Sequence, residues 1–186
     1  MKRVQTPVRR EDAAADRLVK YLNKSLHSER AMARSCLLYK IVIDGSGKIE
    51  PTQKSDYLRP KRGQSAFQAD IVIRDKKSQV PLVVIELKYG TFSTHDVLTY
   101  STKALRHKEI YPYLRYGFAI AGGKHINEKF FLHNVGFDFA LAFPERPDGR
   151  NGLRELVERQ IKIARSLIDR KLHGNVYRFE TKVEIQ

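Results

Sequence analysis

Residues 69–90 read ADIVIRDKKSQVPLVVIELKYG. Val80, Leu82, Val83, Val84, Ile85 and Leu87 make the second half a core strand, yet Glu86 and Lys88 stand inside it. Asp70 stands in the same way inside the apolar run before it. Alternate residues of a strand share a face, so Leu82, Val84, Glu86 and Lys88 point one way, and Asp70, Val72 and Arg74 share a face of the preceding strand. If the two strands are neighbours, Asp70, Glu86 and Lys88 converge on one patch beside the sheet. A buried carboxylate without a partner is costly, and two together are worse unless a cation joins them. Lys88 supplies one positive charge, and a divalent metal would supply the rest. Hard oxygen ligands with open water positions suit Mg²⁺ or Mn²⁺. Such an ion acidifies a bound water and stabilises charge on a reacting phosphate. Lys88 could orient or deprotonate the attacking water, or neutralise developing charge. The chemistry indicated is phosphodiester hydrolysis.

The surrounding pattern must hold these residues in place. From Arg10 a helical stripe runs through Glu11, Ala15, Leu18, Leu22, Leu26, Glu29, Ala33 and Cys36 in steps of three and four. It predicts one long helix, or two broken near residues 23–25. LLYKIVI (37–43) reads as a strand, DGSG (44–47) as a hairpin turn, and residues 48–67 as a short strand and a loop. QADIVIR (68–74) and VPLVVIELKY (80–89) read as strands joined by the turn DKKSQ, antiparallel to each other if that turn is a simple hairpin. Residues 93–109 predict a helix capped by Ser93 or Thr94. Residues 114–123 form another core strand, residues 129–143 two short strands about a turn at 134–136, and residues 153–172 an amphipathic helix. Tyr177, Phe179, Thr181, Val183 and Ile185 alternate as a last strand. The expected architecture is α/β: one domain over residues 1–186, a mixed β-sheet flanked by helices, with residues 1–9 as a basic arm.

Asp70, then fifteen residues, then Glu86-Leu87-Lys88 resembles the PD-(D/E)XK motif of the restriction endonuclease-like nucleases. The order of elements from about residue 11 to 121 is similar as well. The chain looks most like the N-terminal nuclease domain of type I restriction R subunits, although it carries no Walker A motif. The resemblance implies a Mg²⁺-dependent deoxyribonuclease with Asp70, Glu86 and the Leu87 carbonyl as metal ligands and Lys88 serving the water. Many relatives carry Gln-x-x-x-Tyr on the following helix; here Tyr100 matches, but Asp96 replaces the Gln. Ala69 stands where the motif has Pro. Relatives often add a carboxylate from the first helix. Glu29, nearer the sheet in sequence, is favoured for that role over Glu11.

The bulk composition agrees with a polyanionic partner. In 186 residues, 35 Lys and Arg stand against 21 Asp and Glu, a net charge of +14, which favours nucleic acid. Lys61 and Arg62 in one loop, and Lys103 and Arg106 on the helix after the motif, are the candidate phosphate contacts. A solvated loop and a solvated helix end are the plain alternatives. Tyr111 and Tyr113 could meet bases or pack in the core. The single Cys36 excludes Cys-rich zinc sites and fits a reducing, cytoplasmic compartment. The six histidines show no paired ligand spacing. No apolar run approaches the ~20 residues of a membrane span. Cutting both strands of DNA would need a homodimer, two encounters or a partner subunit. The alternative class is a module of the same fold that binds nucleic acid or protein without cutting; RNA as substrate is a third reading.

Overall fold

The computed structural model describes residues 10–50, 58–63, 65–147 and 152–173. α1 (Arg10–Leu22) opens with Glu11 and Asp12 at its positive end and closes with Lys20 at its negative end. Ala14, Ala15, Leu18 and Leu22 form its buried stripe. The helix stops there, short of the predicted run. The Asn23 side chain folds onto the Ala31 backbone, accepting from its N–H at 2.9 Å and donating to its carbonyl at 3.0 Å. Beyond that turn the chain is extended as β1 (Glu29–Leu38). The helical stripe through Glu29, Ala33 and Cys36 is therefore overturned: these residues pair with β4 (Ala66–Asp75), and a ladder running from Glu29↔Asp75 to Leu38↔Ala66 outweighs the local pattern. β2 (Val42–Ile43) and β3 (Ile49–Glu50) form the small hairpin about DGSG, where Asp44 accepts from the Ser46 and Lys48 amides. The predicted strand 37–43 is thus split between β1 and β2.

β5 (Pro81–Tyr89) is antiparallel to β4, as the DKKSQ turn predicts. Its ladder slips between Ile73↔Val83 and Arg74↔Pro81, which leaves Leu82 as an extra residue. Leu82 consequently packs with Val83 and Ile85 on one face and does not join Val84 on the other. α2 (Thr94–Ile110) crosses over to β6 (Arg115–Ala121), parallel to β5. Residues 128–133 form a short helix, α3 (Glu128–His133), where a strand was expected. Asn127 caps it by accepting from Lys129 N–H, and only Phe130 turns inward. β7 (Phe139–Phe143) adds parallel to β6, and α4 (Leu153–His173) follows. The predicted strand 177–185 and the arm 1–9 lie outside the described residues.

The main sheet has the order β1-β4-β5-β6-β7, antiparallel on one side of β5 and parallel on the other. Helices cover both faces, as the α/β reading expected. α1 and α4 bury Leu18, Leu22, Val157 and Ile161 against Ile71, Ile73, Val83 and Ile85. α2 and α3 bury Val97, Ala104 and Phe130 against Val72, Val84, Tyr116 and Phe118. Each fully buried aliphatic side chain contributes about 1.5–3 kcal/mol, so the two layers fix the sheet that carries the charged residues. Among the described residues no helix is long and apolar enough to cross a membrane.

Candidate active site

The β4–β5 ladder sets the first distances. Ile71↔Ile85 and Val72↔Val84 are partners, so the next rung brings Asp70 beside Glu86 on the face covered by α2. The β1–β4 ladder is interrupted at this level. Ala33↔Ile71 and Ser35↔Ala69 pair, but Arg34, opposite Asp70, takes φ 53° and leaves the ladder. Its guanidinium reaches across to Asp16 of α1 at 2.7 Å.

Asp70 is half-buried, and its Oδ2 accepts the Leu87 N–H at 2.8 Å. Burial first, and then the Glu86 charge, pushes its carboxyl up to about 7, while the Leu87 bond and Lys103 pull the other way. Glu86 is fully buried. Its Oε1 accepts from the Tyr116 hydroxyl at 2.7 Å and pairs with Lys103 Nζ at 2.8 Å. Its Oε2 is buried with no hydrogen-bond partner. The Lys103 ammonium also donates to the Gln68 carbonyl.

Lys88, from the same strand face, is held elsewhere. Its Nζ lies 3.0 Å from Asp96 and 3.5 Å from Glu11. Burial works against its charge, but the Asp96 hydrogen bond, Tyr100 and Glu11 together hold its pKa above the ordinary lysine value. In this arrangement the Lys88 ammonium is charged and pairs with two carboxylates.

Helix α2 delivers four of these partners by its own period. Asp96, Tyr100, Lys103 and His107 recur at steps of four, three and four on one side. Asp96 also closes a capping box with Ser93, accepting from its N–H at 2.8 Å while Ser93 Oγ accepts from the Asp96 amide. The residue that departs from the Gln-x-x-x-Tyr pattern therefore caps the helix and anchors Lys88. Two ammonium groups lie over the Tyr100 ring, its centroid 5.3 Å from Lys88 Nζ and 5.6 Å from Lys103 Nζ. Burial raises the pKa of its hydroxyl. His107 is buried beneath, with Nδ1 3.1 Å from the Tyr116 hydroxyl and Nε2 3.3 Å from the Leu37 carbonyl. Burial and Lys103 bring its pKa down to about 4, so it is neutral at physiological pH. A neutral ring carries one proton, which donates to the Leu37 carbonyl when it sits on Nε2 and to the Tyr116 hydroxyl when it sits on Nδ1, while that hydroxyl donates to Glu86.

Several sequence assignments move. Glu29 lies at the far end of β4 from Asp70, opposite Asp75, and both carboxylates hold Arg165 of α4. It is a structural anchor there, because the segment that carries it is a strand and not the first helix. Glu11 is the carboxylate that α1 brings to the site. Lys103, expected at a phosphate, is engaged with Glu86. Arg106 is exposed and paired with Glu109 at 3.0 Å, and Lys61 and Arg62 are exposed in the loop before β4. Tyr111 is half-buried against the α2-side core. Sequence reading missed Tyr116, which shows no signal until β6 is placed beside β5, and it took His107 as a possible phosphate contact where the side chain is buried against Tyr116.

The donor set fits a hard divalent ion. Asp70 and Glu86 lie side by side with Lys103 at Glu86, while Asp96 and Glu11 face Lys88. Glu86 Oε2 is buried and has no hydrogen-bond partner among the described residues. No group of three or more His, Cys, Asp or Glu forms a metal cage among the described residues. Water and phosphate oxygens would complete the shell, as is usual for Mg²⁺.

No protein-family model matches the chain, and no curated protein matches it. Among solved structures the chain is similar to one of the native BbvCI A2B2 tetramer at low resolution. The identity is 14% and the TM-score 0.35, over 78% of this chain and 61% of that one. An overlap of that size does not fix a family.

Proposed function

We propose that this protein is a metal-dependent endonuclease that hydrolyses DNA phosphodiester bonds in the manner of the PD-(D/E)XK nucleases. The observation that carries the reading is the adjacent Asp70–Glu86 pair, Glu86 fully buried and its Oε2 without a hydrogen-bond partner among the described residues. Asp70 and Glu86 would hold Mg²⁺ or Mn²⁺, with the Leu87 carbonyl as a further ligand by the resemblance. The bound ion would supply Lewis acidity and a more acidic water. Water oxygen bonds to phosphorus, one ester P–O bond breaks, the water's proton passes to solvent and the leaving oxygen takes one up. Lys88 adds positive charge where the phosphate becomes more negative. The Tyr100 ring would help to position both lysines, whose ammonium groups lie over it. The +14 net charge favours a polyanionic substrate.

The test is supercoiled plasmid incubated with Mg²⁺, Mn²⁺ or EDTA, for the wild type beside Asp70→Ala and Lys88→Ala. Metal-dependent nicking that both substitutions abolish is the expected result. Cleavage that survives both would refute the site.

One observation favours a second reading, a binding module on the same fold. Lys103 pairs with Glu86 Oε1 at 2.8 Å, so the chain itself supplies a counter-charge to the buried carboxylate. Plasmid bound and left intact in every metal would select it.

A further inference from the structure

Glu86 receives an ammonium group, but not the one the motif would bring. Lys88 follows Glu86 by two residues on the same strand face, yet its Nζ is drawn to Asp96 and Glu11 on the two flanking helices. The ammonium at Glu86 Oε1, 2.8 Å away, comes from Lys103, three residues after Tyr100 on α2. Lys103 is anchored on its other side by the Gln68 carbonyl, two residues before Asp70, and overhead by the Tyr100 ring. Its position between the strand of Asp70 and the carboxylate of Glu86 is therefore determined by three elements.

We propose that Lys103 is a second catalytic lysine: held in that place, its charge offsets the carboxylates that would bind the metal before a divalent ion arrives, and then stabilises the charge that develops on the scissile phosphate. The proposal rests on the nuclease reading and adds a distinct consequence to it. A cation beside two carboxylates competes electrostatically with a divalent ion, so removing it strengthens metal binding. The same removal takes positive charge from the phosphate where charge develops, so it slows the reaction. A lysine that served only as the counter-charge of Glu86 would give the tighter metal without the slower reaction.

The experiment compares wild type, Lys103→Met, Lys103→Gln and Asp70→Asn. Mn²⁺ binding is titrated by calorimetry without DNA, plasmid cleavage is followed in Mg²⁺, and circular dichroism establishes that each variant is folded. Lys103→Met should bind Mn²⁺ about 10-fold more tightly and cleave on the order of 100-fold more slowly. Lys103→Gln keeps donors for Glu86 and Gln68 while losing the charge, and should shift both readouts in the same directions. Mn²⁺ affinity unchanged or weakened in the folded variants, or cleavage within roughly threefold of wild type, overturns the proposal. A wild type that never cuts, or an Asp70→Asn that cuts equally well, overturns the nuclease reading instead. In that case Mn²⁺ tightening in Lys103→Met would still establish Lys103 as the counter-charge of the carboxylate pair.

Discussion

Asp70 Oδ2 accepts the Leu87 amide at 2.8 Å, from the strand that also carries Glu86. One neutral N–H is a small return for a carboxylate that is largely withdrawn from water beside another carboxylate. Burial and Glu86 hold the Asp70 pKa at about 7, well above the ordinary aspartate value. Between roughly pH 4 and 7 the folded protein therefore binds a proton that the unfolded chain does not. The stability this contributes is complete below the unfolded pKa and is lost as pH rises through about 7. Urea melts in EDTA should show wild-type stability declining across that window. Asp70→Asn should be nearly flat and more stable at pH 8 by on the order of 2 kcal/mol. Parallel curves for the two proteins would mean that Asp70 is not the group strained by its surroundings.

The hairpin that carries Asp70 and Glu86 was legible because apolar runs and the DKKSQ turn agree with each other, and because charges inside such runs need a reason. The capped helix α2 and the long α4 were legible from period and caps. Residues 23–38 were not. Their small and apolar residues satisfy a helical stripe by accident, and the deciding contacts are rungs with β4, 28 to 46 residues away in the chain. That error displaced Glu29, since a residue assigned to a helix over the sheet belongs to the sheet's far edge. KFFLH read as a strand for the same reason: three adjacent apolar residues carry no period, and the Asn127 cap decides. Lys103 was singled out, but its partner was not, because Glu86 and Lys103 meet only after β5 and α2 are packed.

Glu29 now predicts a stability effect without a catalytic one. Its side chain is 13% exposed and shares Arg165 with Asp75. Glu29→Gln should lower stability by about 1 kcal/mol and leave metal-dependent cleavage at the wild-type rate. Glu11→Gln removes a carboxylate that faces Lys88 and should slow cleavage several-fold with little change in melting. The two variants, assayed side by side, separate α1 from β1 as the source of the supporting acid; slow cleavage confined to Glu29→Gln would reverse the assignment.

Gly117 tests the parallel half of the sheet. A Cβ there would fall 2.2–2.7 Å from the Phe139 ring, its cross-strand partner on β7. A six-membered ring packed between strands cannot yield that far without moving β7. Gly117→Ala should cost about 1–3 kcal/mol, read as a lower denaturation midpoint at unchanged slope. Tolerance of the substitution would place Phe139 elsewhere and with it the register of β6 and β7.

Lys61 and Arg62 are exposed in the segment that leads through the Gly63↔Ala66 bridge into β4, eight residues or so upstream of Asp70. Neither supports the core, so their charge is free to serve a polyanion approaching the site. Each phosphate contact releases counterions, and its loss flattens the dependence of log affinity on log salt by about 0.9. Replacing both with Ala should therefore weaken DNA binding uniformly across sequences and reduce that slope by about 2. Fluorescence anisotropy of a labelled duplex, titrated at several salt concentrations in Ca²⁺, gives both quantities. A slope unchanged by the double substitution would take this loop out of the DNA interface and leave the α2 side, with Arg106, to carry it.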